Sequence, residues 1–228
     1  MGNVAIAIDG PSGAGKSTIA KALAQEFSFL YVDTGAIYRT VGLYVCRKGE
    51  DPADNEAVVA LLPEISIDLR YEDGLQHMLL NGEDVTRAIR EHQISAYASK
   101  VSAHPKVREF LLQTQRDYAQ KYNVIMDGRD IGTVVLPHAE IKIFLTASSE
   151  DRARRRYLEL REKGQDVTLE TVLHDIIVER DRNDASRAAA PLKPADDAIL
   201  VDTTGNTLEQ SISVLRNIIG ERIKNHVL

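Results

Sequence analysis

Five short runs of apolar residues occur along the chain, and they are rich in β-branched side chains. Apolar and polar residues do not alternate cleanly within them, which is typical of parallel strands buried on both faces. We therefore predict that these runs form the strands of one parallel sheet. The runs are Val4–Ile8, Phe29–Val32, Val124–Met126, Ile141–Leu145 and Ala198–Val201.

Segments with a helical spacing of apolar residues separate these runs. Strands and helices that alternate at this spacing predict an α/β fold, with a doubly wound, five-stranded parallel sheet flanked by helices. The predicted helices are Lys16–Phe27, Ala36–Arg47, Pro105–Tyr122, Ser149–Glu162 and Thr207–Lys224.

One region departs from this pattern, because its apolar residues alternate strictly with polar ones. Two tight-turn dipeptides, Asp73-Gly74 and Asn81-Gly82, follow. Strict alternation followed by such turns predicts antiparallel strands. We predict a small three-stranded antiparallel β meander, Pro63–Val85, inserted into the α/β domain. The alternating residues are Ile65, Ile67, Leu69 and Tyr71.

Composition narrows the function classes. The chain has 228 residues with 43% hydrophobic content, enough for one α/β core. Its net charge of −6 argues against a general nucleic-acid binder. Cys46 is the single cysteine, which excludes an intrachain disulfide and a cysteine-based zinc site. No signal peptide or membrane span is evident, so we expect a cytoplasmic monomer that binds neither nucleic acid nor membrane.

Four of the predicted strands end in an aspartate, namely Asp9, Asp33, Asp127 and Asp202. Ligands in open parallel sheets bind beyond the carboxyl ends of the strands. The aspartates therefore favour a polar, ligand-facing edge of the sheet. Asp127 begins the segment DGRDIGT, residues 127–133, and is either a turn residue or an outer-shell partner of a metal ion.

A glycine-rich segment follows the first strand and precedes the first helix. The sequence GPSGAGKS matches G-x-x-x-x-G-K-[ST] at every fixed position. Backbone N–H groups in such a loop bind phosphate oxygens, Lys16 reaches the β and γ phosphates, and the Ser17 hydroxyl is placed to bind Mg²⁺. We predict an ATP-binding loop formed by Gly10, Pro11, Ser12, Gly13, Ala14, Gly15, Lys16, Ser17 and Thr18.

Arginines near the strand ends indicate an acceptor that already carries a phosphate. Arg39, Arg108 and Arg129 are suited to bidentate phosphate recognition. A phosphate monoester is largely ionised at neutral pH, because its second pKa is near ~6. Such an acceptor needs no general base, and positioning and charge neutralisation carry the catalysis. A hydroxyl acceptor would instead require a base carboxylate.

A second arginine-rich region predicts a lid over residues 149–190. Arg152, Arg155 and Arg156 share one face of the predicted helix. Beyond Gly164, an apolar stripe with helical spacing is followed by charged residues at the same spacing. Charged residues on the extension of a buried helical face point toward a cleft rather than toward bulk water. A helical pair of this kind can close over a triphosphate and exclude water. The stripe is Leu173, Ile176 and Ile177, and the charged residues are Arg180, Asp184 and Arg187.

Taken in order, the motifs resemble those of bacterial-type cytidylate kinases over essentially the whole chain. The P-loop alone is shared by many kinases, whereas DGRD-x-GTVV together with DTGA-x-YR and ERD-x-x-D-x-x-R is specific. The inserted meander also resembles the monophosphate-binding lobe of this family. The matching segments are Ile8–Ser17, Asp33–Arg39, Asn81–Thr86, Pro105–Leu111, Asp127–Pro137, Lys142–Ser148 and Glu179–Leu192.

The resemblance implies transfer of the ATP γ-phosphoryl group to CMP or dCMP with Mg²⁺, which Ser17 would bind. It implies one P-loop kinase domain, 1–228, with a core of 1–62 and 86–228, a β lobe of about 63–85 and a lid of about 149–190. The implied catalytic residues are Lys16, Arg129, Arg155 and Arg180. The implied CMP-binding residues are Thr34, Tyr38, Arg39, Ser99, Arg108, Arg129, Asp130, Arg180, Asp184 and Arg187.

These CMP-binding residues divide by role. The resemblance assigns Thr34, Tyr38, Arg39 and Arg129 to the monophosphate site. It assigns Ser99, Arg108 and Asp130 to the cytosine, and Arg180, Asp184 and Arg187 to the pentose and the phosphates. Thr34 stands where serine is common, which keeps a hydroxyl. Two alternatives stay open, namely another small-acceptor P-loop kinase, for a different monophosphate or shikimate, and a nucleotide-binding regulator or RNA-binding module.

Overall fold

The computed structural model describes residues 3–72, 75–162, 164–174 and 180–227. The predicted Asp73-Gly74 turn lies outside these ranges, as do Ile176, Ile177 and Glu179.

A five-stranded sheet forms the centre of the fold, in the order β2-β6-β1-β7-β8. β1 is the middle strand and runs parallel to both of its neighbours, with Ile6 opposite Ile125 of β6 and Ile141 of β7. The α/β fold with a five-stranded sheet is therefore confirmed. The strands are β1 (Ala5–Asp9), β2 (Leu30–Asp33), β6 (Val124–Gly128), β7 (Ile141–Thr146) and β8 (Ile199–Asp202).

Each strand ends one or two residues later than the apolar runs predict, because four of them extend to or through their aspartate. Asp127 lies inside β6 rather than in a turn after it. A buried carboxylate can occupy a strand end when its oxygens are hydrogen-bonded, as these are.

Nine helices are present among the described residues. Lys16–Phe27 and Ser149–Glu162 match their predicted bounds, and three others differ by one to three residues at an end. The helices are α1 (Lys16–Phe27), α2 (Thr34–Lys48), α3 (Asn55–Leu61), α4 (His92–Val101), α5 (Pro105–Lys121), α6 (Ser149–Glu162), α7 (Leu169–Leu173), α8 (Arg182–Ser186) and α9 (Leu208–Val227).

α2 begins two residues earlier than predicted, directly after β2. Asp33 is its N-cap, and the carboxylate accepts the N–H of Ala36 at 2.8 Å. Capping by the last strand residue removes any need for a loop. Thr34 and Gly35 therefore lie in the first turn of the helix rather than before it.

The antiparallel meander is confirmed as a separate three-stranded sheet in the order β3-β4-β5. Its strands are β3 (Ile67–Glu72), β4 (Leu75–Leu80) and β5 (Glu83–Asp84). Asn81 and Gly82, with φ of 52° and 86°, form the tight turn between β4 and β5. Pro63 lies in a short 3₁₀ helix, Leu62–Glu64, so the sheet starts later than the predicted lobe.

The chain divides into two compact units. One contains the residues up to Tyr31 and those from Lys121 onward, and the other spans Val32–Gln120. The second unit includes the meander and also α2, α3, α4 and α5, so more of the chain groups with the meander than residues 63–85 alone.

The first unit has a continuous apolar core on the sheet. Helices α1 and α9 supply Ile19, Leu23, Leu215 and Ile219, and the strands supply residues such as Ile143. A smaller apolar cluster joins Leu160 of α6 to Val172 of α7. α6 and α7 thus pack as a helical pair, and Gly164, with φ of 75°, lies in the turn between them. Of the predicted stripe only Leu173 lies in α7, and the helix that contains Asp184, α8, ends at Ser186, before Arg187.

Candidate functional site

The glycine-rich loop approaches its neighbours too closely for side chains at two positions. A Cβ at Gly10 would lie 1.9 Å from the Leu145 carbonyl oxygen, and one at Gly13 would lie 2.8 Å from the Arg152 carbonyl oxygen. Both residues also have positive φ, 151° and 76°. The loop ends at Gly15, which cannot cap α1 with a side chain, so the start of this helix is suited to an anion.

Lys16 is buried at the start of α1. Its ammonium donates to the Pro11 carbonyl oxygen at 2.7 Å, across the loop. Burial and the Arg129 guanidinium lower the pKa of Lys16 well below its ordinary value, with Arg180 acting in the same direction and Asp127 and Asp9 opposing. The site therefore places Lys16, Arg129 and Arg180 close enough to act on one another, with carboxylates among them. A bound polyphosphate would add negative charge beside these cations.

Ser17, the next residue, is hydrogen-bonded to a strand-end aspartate. Its hydroxyl donates to Asp127 Oδ2 at 2.7 Å, and the Tyr31 hydroxyl donates to Oδ1 at 3.0 Å. The turn interpretation of Asp127 is thus wrong, because this carboxylate is buried in β6 and orients the Ser17 hydroxyl.

The hydroxyl oxygen of Ser17 and the carboxylate of Asp127 fit a magnesium ion. Mg²⁺ prefers hard oxygen ligands and usually keeps several waters while bound to phosphates, so a complete protein cage is unnecessary. Within the described residues no group of three or more histidine, cysteine, aspartate or glutamate side chains could hold a metal by itself. Ser17 could ligate the ion directly, with Asp127 outside it.

Asp9 holds the segment that follows β6. Its carboxylate accepts the N–H of Ile131 at 2.8 Å and that of Gly132 at 2.7 Å. These residues begin a π turn, Ile131–Val135, in which the Asp130 carbonyl oxygen accepts from Val134 and Val135. Burial raises the pKa of Asp9 to about 6, although the two N–H groups lower it.

Arg129 and two predicted substrate residues form an ionic cluster. Asp184 is buried, and its carboxylate accepts from Arg129 Nε at 2.7 Å and pairs with Arg187. Arg129 also donates to the Gly128 carbonyl oxygen at 3.3 Å. Burial lowers the pKa of Arg129, opposed by Asp127, Asp181, Asp9 and Asp130. Asp184 therefore orients two arginines in this structure.

The arginines of α6 have different partners. Arg152 is buried, donates to the carbonyl oxygens of Ala147 and Ser12 at 3.0 Å each, and pairs with Asp181 at 2.7 Å. Arg155 donates to the Thr203 carbonyl oxygen at 2.7 Å. Arg152 thus joins α6 to the phosphate-binding loop. Arg156 instead forms an ion pair with Glu159 on its own helix, at 2.8 Å.

In the unit Val32–Gln120, Asp33 joins two arginines. Its Oδ2 accepts from Arg39 at 2.9 Å and from Arg90 at 3.0 Å. Burial alone would raise the pKa of Asp33, but the charges of Arg39 and Arg90 lower it below its usual value. Arg39 Nε is buried without a hydrogen-bond partner, so this guanidinium keeps an unused donor.

The same unit holds the residues that the resemblance assigns to the base. Arg108 is buried, donates to the Ser102 carbonyl oxygen at 3.0 Å, and its guanidinium carbon lies 5.3 Å from the centre of the Tyr38 ring. Ser99 lies in α4, and its carbonyl oxygen accepts from the Ser102 hydroxyl. Thr34 is buried at the start of α2.

The predicted residues therefore form two sets, one in each unit. The unit with the five-stranded sheet core contains Lys16, Ser17, Arg129, Asp130, Arg155, Arg180, Asp184 and Arg187. The unit Val32–Gln120 contains Thr34, Tyr38, Arg39, Ser99 and Arg108.

Sequence reasoning missed specific partners of these residues. Arg90 shares Asp33 with Arg39, and Tyr31 shares Asp127 with Ser17. No local motif marks either residue, because each contact joins distant parts of the chain. The sequence marks Asp9 only as one of four aspartates at strand ends and gives no sign of its contacts with the π turn.

No helix in the described part of the chain combines the length and the apolar character needed to cross a membrane.

A phosphate-binding loop between the middle strand of a parallel sheet and its first helix, with a buried lysine and convergent arginines, defines a P-loop kinase. The family model for cytidylate kinase matches residues 6–221, so the chain belongs to the cytidylate kinase family.

Full-length relatives support this assignment. The cytidylate kinase of Caldicellulosiruptor bescii is 48% identical over 227 residues, covering 100% of each chain. That of Carboxydothermus hydrogenoformans is 50% identical over 223 residues, covering 98% of this chain and 99% of the relative. An uncharacterised protein from Eubacterium ventriosum of known crystal structure shares the fold, with a TM-score of 0.53, 12% identity, and coverage of 96% and 99%.

Proposed function

We propose that this protein transfers the γ-phosphoryl group of ATP to CMP and dCMP, giving ADP with CDP or dCDP, as part of pyrimidine nucleotide metabolism. The observation that carries the proposal is the buried Lys16 of the phosphate-binding loop. It lies beside Arg129 and Arg180 in a chain of the cytidylate kinase family. The relatives named above are cytidylate kinases, and this chain matches them along almost their whole length.

The proposed chemistry is an in-line displacement. An oxygen of the acceptor phosphate attacks the γ phosphorus, and the bond from that phosphorus to the β–γ bridging oxygen breaks, so ADP leaves with the electron pair. The acceptor oxygen is already ionised at neutral pH, since its second pKa is near ~6. No general base is then needed, and Lys16, Arg129, Arg155 and Arg180 neutralise the charge of the transferring group.

Magnesium would bind at Ser17, with Asp127 orienting that hydroxyl from outside. When bound, the ion neutralises charge on the β and γ phosphates. The 2.7 Å Ser17–Asp127 hydrogen bond supports this placement. Residues Gly10 to Thr18 would bind ATP through the loop backbone and the start of α1.

Three parts of the acceptor would be recognised, namely its phosphate, its base and its pentose. Arg39, which keeps an unused Nε donor, would bind its phosphate together with Thr34, Tyr38 and Arg129. Asp130 can accept from the exocyclic amino group of cytosine, a donor that uracil lacks, while Arg108 and Ser99 can donate to its ring acceptors. Arg180, Asp184 and Arg187 would hold the pentose and the phosphates.

A coupled assay with ATP and each of CMP, dCMP, UMP, AMP, GMP and shikimate tests the function. We expect kcat/KM to be highest for the two cytosine nucleotides, and no preference for them would contradict the proposal. Chelation of Mg²⁺ should abolish turnover, and its return should restore it. Asp130→Ala should lower the CMP:UMP ratio of kcat/KM by about tenfold or more while leaving the KM for ATP within a factor of two.

The alternatives weighed from the sequence differ in measurable ways. Shikimate would be phosphorylated by a kinase for a hydroxyl acceptor. An RNA-binding module would show salt-sensitive RNA binding without turnover. We further propose a monomer in the cytoplasm, which sedimentation of the free protein and fractionation of the source cells would test.

A further inference from the structure

Asp9 has a carboxylate with no part in the chemistry proposed above. It is the last residue of β1 and is only 4% exposed. Both of its oxygens are used, one by the N–H of Ile131 and one by the N–H of Gly132. A buried carboxylate that accepts two successive peptide N–H groups holds those peptides in one orientation.

The two peptides directly follow Asp130. On its other side, the Asp130 carbonyl oxygen accepts the N–H groups of Val134 and Val135 at 2.9 and 3.1 Å. The backbone of Asp130 is thus held between the carboxylate of Asp9 and the π turn, with φ of −143° and ψ of 25°. π-helical segments are rare, and those of a single turn frequently occur at functional sites.

Gly132 fits closely against the Lys142 side chain, next to Asp9. A Cβ at this position would lie 3.2 Å from Cδ of Lys142 and 3.4 Å from Oδ2 of Asp9. The Lys142 side chain cannot easily move away, because its ammonium is held by Asp197 at 2.8 Å and 2.9 Å. Asp9, Gly132 and Lys142 therefore pack as one unit under the π turn.

We propose that Asp9 is a positioning residue for acceptor recognition: through the N–H groups of Ile131 and Gly132 it sets where the side chains of Arg129 and Asp130 lie. The inference rests on the proposed function, in which Arg129 binds the acceptor phosphate and Asp130 binds the base. Asp9 itself contacts neither substrate.

The electrostatic cost of Asp9 supports a functional reason for the carboxylate. Burial raises its pKa to about 6, so ionising it in this place is unfavourable. The charged groups that act on it are Asp130 and Lys16, and it in turn acts on Arg129. Asparagine would fill the same volume without charge, but its NH₂ group would face one of the two N–H donors and could not accept from it.

The first experiment compares Asp9→Asn with the wild-type protein at pH 7. We expect the KM for CMP to rise about tenfold and the CMP:UMP ratio of kcat/KM to fall, because one N–H loses its acceptor and the turn shifts. The KM for ATP should stay within a factor of two, and the melting temperature should not fall.

Asp54→Asn is the matched control. Asp54 also accepts two successive peptide N–H groups, from Glu56 at 2.9 Å and Ala57 at 3.1 Å, but it is exposed at the start of α3. We expect its kinetics to equal those of the wild type. The control therefore separates the loss of a two-N–H carboxylate in general from its loss at Asp9.

A second variant, Gly132→Ala, disturbs the same turn by crowding the Lys142 side chain beside it. It should raise the KM for CMP in the same direction. In the double variant Asp9→Asn/Gly132→Ala, the rise in the KM for CMP, expressed as a free energy, should be smaller than the sum of the rises in the two single variants. Such a shortfall is expected for residues that share one contact. Simple additivity of the two effects would overturn the proposal.

Two other results would also overturn it: wild-type kinetics for Asp9→Asn, or equal losses for ATP and CMP in that variant. If the wild-type enzyme prefers cytosine nucleotides, either result contradicts only the role of Asp9 and leaves the proposed function standing. A wild-type enzyme without that preference overturns the proposed function, and this inference with it.

Discussion

The aspartates at or near the ends of β1, β2, β6 and β8 have the same side chain but different partners. Asp9 accepts backbone N–H groups of the π turn, Asp33 caps α2 and pairs with two arginines, and Asp127 accepts the hydroxyls of Ser17 and Tyr31. Asp202 accepts the N–H and hydroxyl of Thr204. The partner of each carboxylate, rather than its position in a strand, determines what it does.

At the residue scale, Lys16 contributes charge at a cost in stability. Lys16→Ala should lower kcat by about 10³-fold, equivalent to about 4 kcal/mol of transition-state stabilisation. The melting temperature should not fall, because burial lowers the pKa of this lysine and its removal relieves that penalty. Steady-state kinetics and calorimetry measure the two effects. Lys21→Ala, on the exposed face of α1, is the control, and near-normal kcat in Lys16→Ala would contradict the assigned role.

Asp9 should make stability depend on pH. Its pKa is raised in the folded protein to about 6, above its ordinary 3.8, so the folded state holds the proton more tightly than the unfolded state between these values. The contribution of Asp9 is therefore most favourable below about pH 4 and is lost as the pH rises through about 6.

Asp9→Asn removes this dependence. The unfolding free energy of the variant minus that of the wild type should rise by up to about 3 kcal/mol between pH 4 and pH 7. Urea unfolding at several pH values measures the difference, with Asp54→Asn as the reference. A difference that stays constant with pH would show that the Asp9 carboxylate does not titrate in this range.

At the scale of elements, the phosphate-binding loop and the π turn are short segments whose geometry depends on their neighbours. The loop passes close to the backbone of β7 at Leu145 and of α6 at Arg152, and Arg152 also binds the Ser12 carbonyl oxygen. The π turn is fixed by Asp9 of β1. Both segments are therefore held by contacts with the strands and the helix beside them.

Substitution by alanine should weaken ATP binding at one glycine and raise the stability of the fold at another. Gly10→Ala would place a Cβ 1.9 Å from the Leu145 carbonyl oxygen, so the loop must move and the KM for ATP should rise at least tenfold. Gly220→Ala, in α9, has open space around its Cβ and should raise the unfolding free energy by about 0.5–1 kcal/mol. Kinetics and denaturant unfolding of both variants give the comparison. Normal ATP binding in Gly10→Ala would contradict the close approach.

At the scale of the whole molecule, an acidic protein is proposed to bind two polyanions. The net charge is −6, yet Arg129 and Arg180 lie near the buried Lys16, and Arg39 and Arg90 share Asp33. Phosphate binding therefore depends on local clusters of positive charge rather than on overall charge. Ligands that bind the folded protein at these clusters should stabilise the fold.

Ligands should raise the thermal stability, and at equal concentration a tighter-binding ligand should raise it more. At 100 times its Kd, a ligand stabilises the folded protein by about 2.7 kcal/mol. At equal concentration we expect CMP to raise the melting temperature more than UMP. Asp130→Ala should reduce the difference between the two nucleotides. Differential scanning calorimetry measures these shifts, and equal shifts for CMP and UMP in the wild type would argue against cytosine selection.

The fold was largely predictable because its signals are local. The five parallel strands and the meander follow from apolar runs and alternation, and α1 and α6 match their predicted bounds. α3 and α4 were missed. The compact unit that contains the meander spans Val32–Gln120. Compactness arises from packing between distant segments, which no local pattern reports.

The P-loop, the strands of the sheet and the family could be predicted from the sequence alone, because each is marked by short motifs or apolar runs. Tertiary structure decided how the chemistry is arranged. Asp9 and Ile131 are 122 residues apart, and Ser17 and Asp127 are 110 apart. Only folding brings such pairs within hydrogen-bonding distance. Three contacts could therefore be assigned only from the folded molecule. Arg152 joins α6 to the phosphate-binding loop, Asp127 accepts from Ser17, and Asp9 holds the π turn.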